Sequence, residues 1–155
     1  MTPVYLTSTY VQDGVGNHKG FEYSRTHNPT RSALEAAFAA LEHGSHGLAF
    51  ASGLAAMDTV LKTLQPGDEV ISTNDLYGGS YRLFTTVFAH YGITFHFGDL
   101  GDLEALKAKL NEHTRLIWVE TPTNPMMQIT DISAVAEAVK EAEARVVVDN
   151  TFASP

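Results

Sequence analysis

The 155-residue chain contains no cysteine, one tryptophan and ten basic residues against eighteen acidic ones. Without cysteine there is no disulfide framework and no thiolate metal site in these residues. The net charge of −8 is spread rather than blocked, and clustered Lys and Arg, which nucleic-acid binding needs, are missing. No apolar run approaches the length of a membrane span. The opening residues, Met1-Thr2-Pro3-Val4-Tyr5, carry neither the basic region nor the apolar core of a signal peptide, so a cytoplasmic location is expected. What remains is an ordinary globular balance, 44% hydrophobic and 18% charged, in a chain long enough for one core.

The chemistry-bearing alternation begins late. Residues 1–30 read as an extended arm, with a turn cluster at Asp13-Gly14-Val15-Gly16-Asn17. Asn28-Pro29 then has the form of a helix cap and first turn. Leu34, Ala37, Phe38 and Leu41 follow on one helical stripe, with Gly44 as a stop. Apolar strand candidates come next at Leu48–Ala51, Val70–Thr73, Ile93–Phe97, Leu116–Val119 and Val146–Val148. Between them lie helical patterns carrying Leu54, Met57, Leu61 and Leu64; Leu83, Phe84, Val87 and Phe88, with Ser80 as cap; Leu103–Leu110; and Ile132–Ala142. Continuous apolar strands alternating with amphipathic helices predict an α/β fold with a mostly parallel sheet covered on both faces. Ligands of such sheets bind beyond the carboxyl ends of the strands.

Residues after each strand are therefore the candidates. Ser52-Gly53-Leu54-Ala55 suits a phosphate, since glycine lets an anion approach the free amides of a first helical turn; a tight strand-to-helix turn explains it equally. Asp149 can hold a cation such as a protonated heterocyclic nitrogen, or simply cap a turn. Tyr77, before Gly78-Gly79, offers a flat face and a proton-transferring phenol, or is a core tyrosine. Glu120 and Asn124 flank two prolines in a rigid loop, which can be no more than a structured turn. In the arm, Tyr23 and Arg25 lie two apart and on one side of an extended segment, beside Glu22. They suit a phosphate of a neighbouring subunit, or form a solvated pair. His43 and His46 have no acidic or cysteine partner in a motif, and no metal is assigned.

Together, and in this order, the stretches Gly20-Phe21-Glu22-Tyr23-Ser24-Arg25, Asn28-Pro29-Thr30-Arg31, Phe50–Ala56, Asp75-Leu76-Tyr77-Gly78-Gly79, Glu120-Thr121-Pro122-Thr123-Asn124-Pro125 and Asp149-Asn150-Thr151-Phe152 resemble the pyridoxal-phosphate (PLP) enzymes of cysteine and methionine metabolism. The resemblance implies a fold type I large domain with PLP as cofactor. Residues 31–155 would form its first part, behind an arm of residues 1–30 that contacts a neighbouring subunit. It implies that Ser52, Gly53 and Leu54 hold the cofactor phosphate and that Tyr23 and Arg25 complete that site in the adjacent subunit of a homo-oligomer, a dimer of dimers. Tyr77 would stack on the ring and donate a proton. Asn124 would meet the cofactor's phenolic oxygen and the substrate carboxylate. Asp149 would pair with the ring nitrogen, supported by Thr151, and Glu22 would read the far end of the substrate.

The resemblance is strongest to γ-lyase members, which cleave cystathionine by elimination, with the γ-synthases close behind. The family's lysine, which carries the cofactor covalently, and its carboxylate-binding arginine are expected beyond Pro155. The 155 residues alone are therefore expected to be inactive, as a piece of a longer enzyme. The competing expectation is a non-catalytic assembly protein.

Overall fold

The computed structural model describes residues 2–154. They form two compact units, one ending at Ala51 and one running from Ser52 to Ser154.

The first unit has little apolar core. Strands β1 (Gln12–Gly14) and β2 (Asn17–His18) make a short antiparallel hairpin, with Gly16 in the left-handed region at φ 73°. A run of rings, Tyr5, Tyr10, Phe21 and His27, packs with centroid separations of 6.4, 5.6 and 5.0 Å. Helix α1 (Pro29–Leu41) starts as the sequence predicts, with the Asn28 side chain accepting from the Thr30 and Arg31 amides. Its apolar stripe at Leu34, Phe38 and Leu41 is exposed, and α1 has no buried residue. The helix ends one residue earlier than the glycine stop predicts. His43, not Gly44, takes the left-handed conformation, at φ 53°.

The expected strand at Leu48–Ala51 does not form. The Ala49 amide donates instead to Glu35 Oε1 at 3.0 Å, and Gly47 lies so close to α1 that a Cβ would stand 2.1 Å from the Glu35 carbonyl oxygen. A four-residue apolar run becomes a strand only where a ladder partner meets it. Here its amide is satisfied by a side chain.

The second unit is built on four parallel strands: β3 (Glu69–Thr73), β4 (Thr94–Gly98), β5 (Thr114–Glu120) and β6 (Arg145–Asp149), in the order β4-β3-β5-β6. The strand side chains alternate between two cores. Val70, Leu116 and Trp118 face helix α2 (Gly53–Leu61) and the segment after it, meeting Met57, Leu61, Phe84 and Phe88. Ile71, Ile117 and Val119 face α4 (Leu103–Lys109) and α5 (Ile132–Ala138), meeting Leu106, Val135 and Val139. Both faces are covered, which is why β5 and β6 read as unbroken apolar runs over Leu116–Val119 and Val146–Val148. Trp118 is buried, with its ring edge-on to Phe84 at 5.4 Å.

Two local expectations change. Helix α3 (Gly78–Arg82) begins before Ser80, so Ser80 is not a cap: it is buried, and its hydroxyl lies 3.4 Å from Met57 Sδ. The helix continues as a wider π turn over Leu83–Val87 and a tight 3-10 turn to Tyr91, then stops at Gly92, φ 80°. Helix α5 ends at Ala138, short of the predicted Ala142. No helix among the described residues is long and apolar enough to cross a membrane.

Candidate active site

The carboxyl ends of β5 and β6 open onto a cavity of 340 Å³ in the second unit. The residues given cofactor or catalytic roles in the second unit all line it, namely Ser52, Gly53, Leu54, Tyr77, Asn124, Asp149 and Thr151. Met57, Glu120, Pro122 and Phe152 complete the wall. Glu22, Tyr23 and Arg25 belong to the first unit.

Each wall has a local cause. Ser52 is extended and caps α2, its hydroxyl accepting from the Ala55 amide at 3.1 Å. The amides of Gly53 and Leu54, in the first turn, have no intrahelical acceptor. Nothing lies within 4 Å of where a Gly53 Cβ would be, so the helix start is open to an approaching anion.

Tyr77 is 47% exposed, and its ring lies back over the start of α3. A Cβ on Gly79 would stand 2.2 Å from Tyr77 Cε1, so the ring's seat exists only because residue 79 lacks a side chain. At the end of β6, Asp149 Oδ1 accepts from Thr151 Oγ1 at 2.6 Å and from the Thr151 amide at 3.2 Å. Among the described residues its other carboxylate oxygen accepts no bond, which leaves it for a further partner.

The prolyl loop is held by two carboxylates. Asp75 accepts from the Thr123 hydroxyl and, at 3.0 Å, from the Met126 amide. Glu120, 4% exposed, accepts the Tyr77 amide on both oxygens at 3.0 and 2.9 Å and the Asn124 amide on Oε1 at 2.9 Å. Burial is the main influence on its carboxyl and pushes it above the ordinary carboxylate value. The two amide donors pull it back, and the charges of Asp149 and Asp75 push it further up. The sequence shows Glu120 as part of a turn; its contact with Tyr77 spans 43 residues and leaves no local signal.

In the first unit, Tyr23 pairs with Thr9 and the chain then turns, the Tyr23 carbonyl accepting from the Thr26 and His27 amides. The segment is not extended through Arg25. Instead the Arg25 guanidinium lies over the Tyr23 ring, 5.0 Å from its centroid.

Comparison with known proteins decides the family. The family model described as Cys/Met metabolism PLP-dependent enzyme matches residues 1–155. The chain belongs to this family. It is 52% identical over 155 residues to a probable cystathionine γ-synthase of Herpetosiphon aurantiacus, covering 100% of this chain and 49% of the relative. It is 49% identical over 156 residues to a cystathionine β-lyase of Coxiella burnetii, covering 100% and 40%. The crystal structure of cystathionine γ-lyase from Lactobacillus plantarum complexed with L-serine superposes with a TM-score of 0.92 at 49% identity, covering 99% of this chain and 40% of that one. The chain thus spans between 40% and 49% of these relatives' length. Relatives with synthase and lyase names match almost equally well, so similarity fixes the family and singles out no reaction within it.

The cavity fits the family's cofactor. Its volume is within the range of about 300–1,000 Å³ typical of ligand sites. One wall offers unpaired helix amides for a phosphate, another a carboxylate for a protonated ring nitrogen, and a third an aromatic face for a planar ring.

Proposed function

We propose that these residues form the cofactor-binding part of a PLP-dependent carbon–sulfur lyase that cleaves cystathionine by γ-elimination. What carries the reading is the meeting, at one cavity, of the α2 amides, Tyr77, Asn124 and Asp149. When bound, PLP supplies an electron sink for the pair left on loss of a proton from the substrate's α carbon.

The chain's own residues do the rest. The amides of Gly53 and Leu54, with the Ser52 cap fixing their helix, hold the phosphate. Asp149, oriented by Thr151, keeps a proton on the ring nitrogen. Tyr77 covers the ring and delivers a proton to the departing sulfur. Asn124 orients the ring's phenolic oxygen and the substrate carboxylate, and Glu22 meets the substrate's far end. Tyr23 and Arg25, already stacked, serve the phosphate of an adjacent subunit in a dimer of dimers, so the arm of residues 1–30 works in trans. Residues 31–155 are then the first part of the PLP-binding domain, in a cytoplasmic enzyme.

A second reading is γ-replacement by a cystathionine γ-synthase, favoured by the name of the Herpetosiphon relative. One portion of the full-length protein is reduced with borohydride, denatured and weighed, and a second, untreated portion is assayed. One reduced PLP per chain, and release of cysteine, ammonia and 2-oxobutanoate from cystathionine, is the expected result. Cystathionine formed from an O-acylhomoserine and cysteine, without cleavage, replaces the lyase reading by the synthase one. No adduct overturns both.

A further inference from the structure

We propose that Glu120 is a positioning residue: its carboxylate locks the backbone of Tyr77 to that of Asn124, setting the proton donor and the substrate-orienting amide in one fixed relation at the cavity. This rests on the roles given above to Tyr77 and Asn124, but the lock itself is independent of them.

The anchor is rigid at its root. Glu120 ends β5, and its own amide donates to Thr73 Oγ1 at 3.0 Å, while that hydroxyl donates to the Trp118 carbonyl at 3.2 Å. From this fixed point the side chain reaches two separate segments. It takes the Tyr77 amide on both oxygens and the Asn124 amide on Oε1. Among the described residues it forms no ion pair. A buried carboxylate without a cation is a costly choice for structure alone. A carboxylate nevertheless suits this place: Oε1 takes both amides and Oε2 takes that of Tyr77 again, whereas an amide would turn its NH₂ toward the Tyr77 N–H. The neighbouring anchor divides the labour. Asp75 holds the prolyl loop to itself, through Thr123 and Met126, and touches neither amide. The inward seat of the Tyr77 ring over Gly79 completes the placement, so Glu120 fixes where Tyr77 starts and Gly79 permits where it ends.

The test uses the full-length protein and two readouts. In the first, hydrogen exchange of the cofactor-free protein is compared for wild type, Glu120→Gln and Asp75→Asn. Exchange at Tyr77 and Asn124 should quicken about tenfold or more in Glu120→Gln and stay near wild type in Asp75→Asn. In the second, a double-mutant cycle joins Glu120→Gln to Tyr77→Phe in the PLP-loaded enzyme, with PLP affinity and the visible absorbance of the bound cofactor measured alongside. Glu120→Gln should lower kcat about 10–100-fold with PLP affinity near wild type. The double variant should fall clearly short of the product of the two losses, since Tyr77→Phe removes the hydroxyl that Glu120 places, and only the share acting through Asn124 remains. Multiplicative losses, or unchanged exchange at both amides, overturn the proposal. So does a Glu120→Gln protein that loses PLP along with its fold stability, since that is a merely structural role. Should Glu120→Gln not fold, Glu120→Asp, which keeps the charge and withdraws it by one methylene, is read against the same outcomes. A wild-type protein that shows the exchange pattern yet takes up no PLP overturns the functional reading and leaves the lock standing.

Discussion

Two glutamates sit at opposite ends of the same parallel sheet, Glu69 at the amino end of β3 and Glu120 at the carboxyl end of β5. Glu69 is met by side chains: Asn111 Nδ2 at 2.9 Å and His96 Nε2 at 2.7 Å, in contact with solvent. Those bonds, that of Asn111 first, hold its carboxyl below the ordinary value of 4.5. Glu120 is met by backbone and buried, and its carboxyl is pushed up. The amino end is tied off by local polar pairs. At the carboxyl end the loops are spread by long-range contacts to backbone, which leaves room for a ligand between them. The same side chain closes one end of the sheet and shapes the other.

The sharpest way to break this contrast is at the carboxyl end. On the function proposed above, Asp149→Ala in the full-length enzyme should lower elimination by on the order of 10³-fold with the fold retained, because it would remove the charge facing the ring nitrogen. Near-normal turnover would remove Asp149 from the ring nitrogen. Tyr77→Phe should cost less, about 10²-fold, and should act on release of the sulfur group. Gly79→Ala should approach that loss, since its Cβ must displace the Tyr77 ring, whereas Gly78→Ala, whose Cβ meets only the end of the Arg82 side chain at 3.4 Å, should not. Equal effects at the two glycines would disprove the ring seat.

The amino end should respond weakly. Glu69→Gln should cost less than about 1 kcal/mol in urea unfolding and leave turnover unchanged, because its partners are partly exposed. The two glutamates also have opposite pH signs. The Glu69 contribution to stability is present above its unfolded value and lost as pH falls through its lowered folded value. For Glu120, with a raised folded value, stability is greatest below the unfolded value and declines as pH rises through the folded one. Unfolding series with pH on Glu69→Gln and Glu120→Gln should therefore remove slopes of opposite sign.

The parts legible in the sequence are those whose cause is local. Asn28-Pro29 starts a helix through its own amides, and Leu116–Val119 reads as a buried strand because both of its faces are covered. The cavity residues were legible as a set through ordered motifs, although Ser52, Gly53 and Leu54 open a helix that no strand directly precedes. What escaped depends on partners far along the chain. Ser80 looks like a cap, but Tyr77 is pinned by Glu120 and the helix starts earlier. Leu48–Ala51 looks like a strand, but Glu35 takes its amide. Tyr23 and Arg25 share a side as expected, by stacking across a turn rather than by the alternation of an extended segment.

Trp118, the single indole of these residues, has a further use. It is 2% exposed, its Nε1 has no hydrogen-bond partner among the described residues, and it borders a smaller cavity of 260 Å³ whose wall includes Asp149 and Thr151. An indole in so dry a setting emits toward the blue, and a chromophore bound beside Asp149 would drain that emission by energy transfer. On the proposed reading of Asp149, the sheet would carry its own optical gauge of occupancy, readable in seconds without following any reaction.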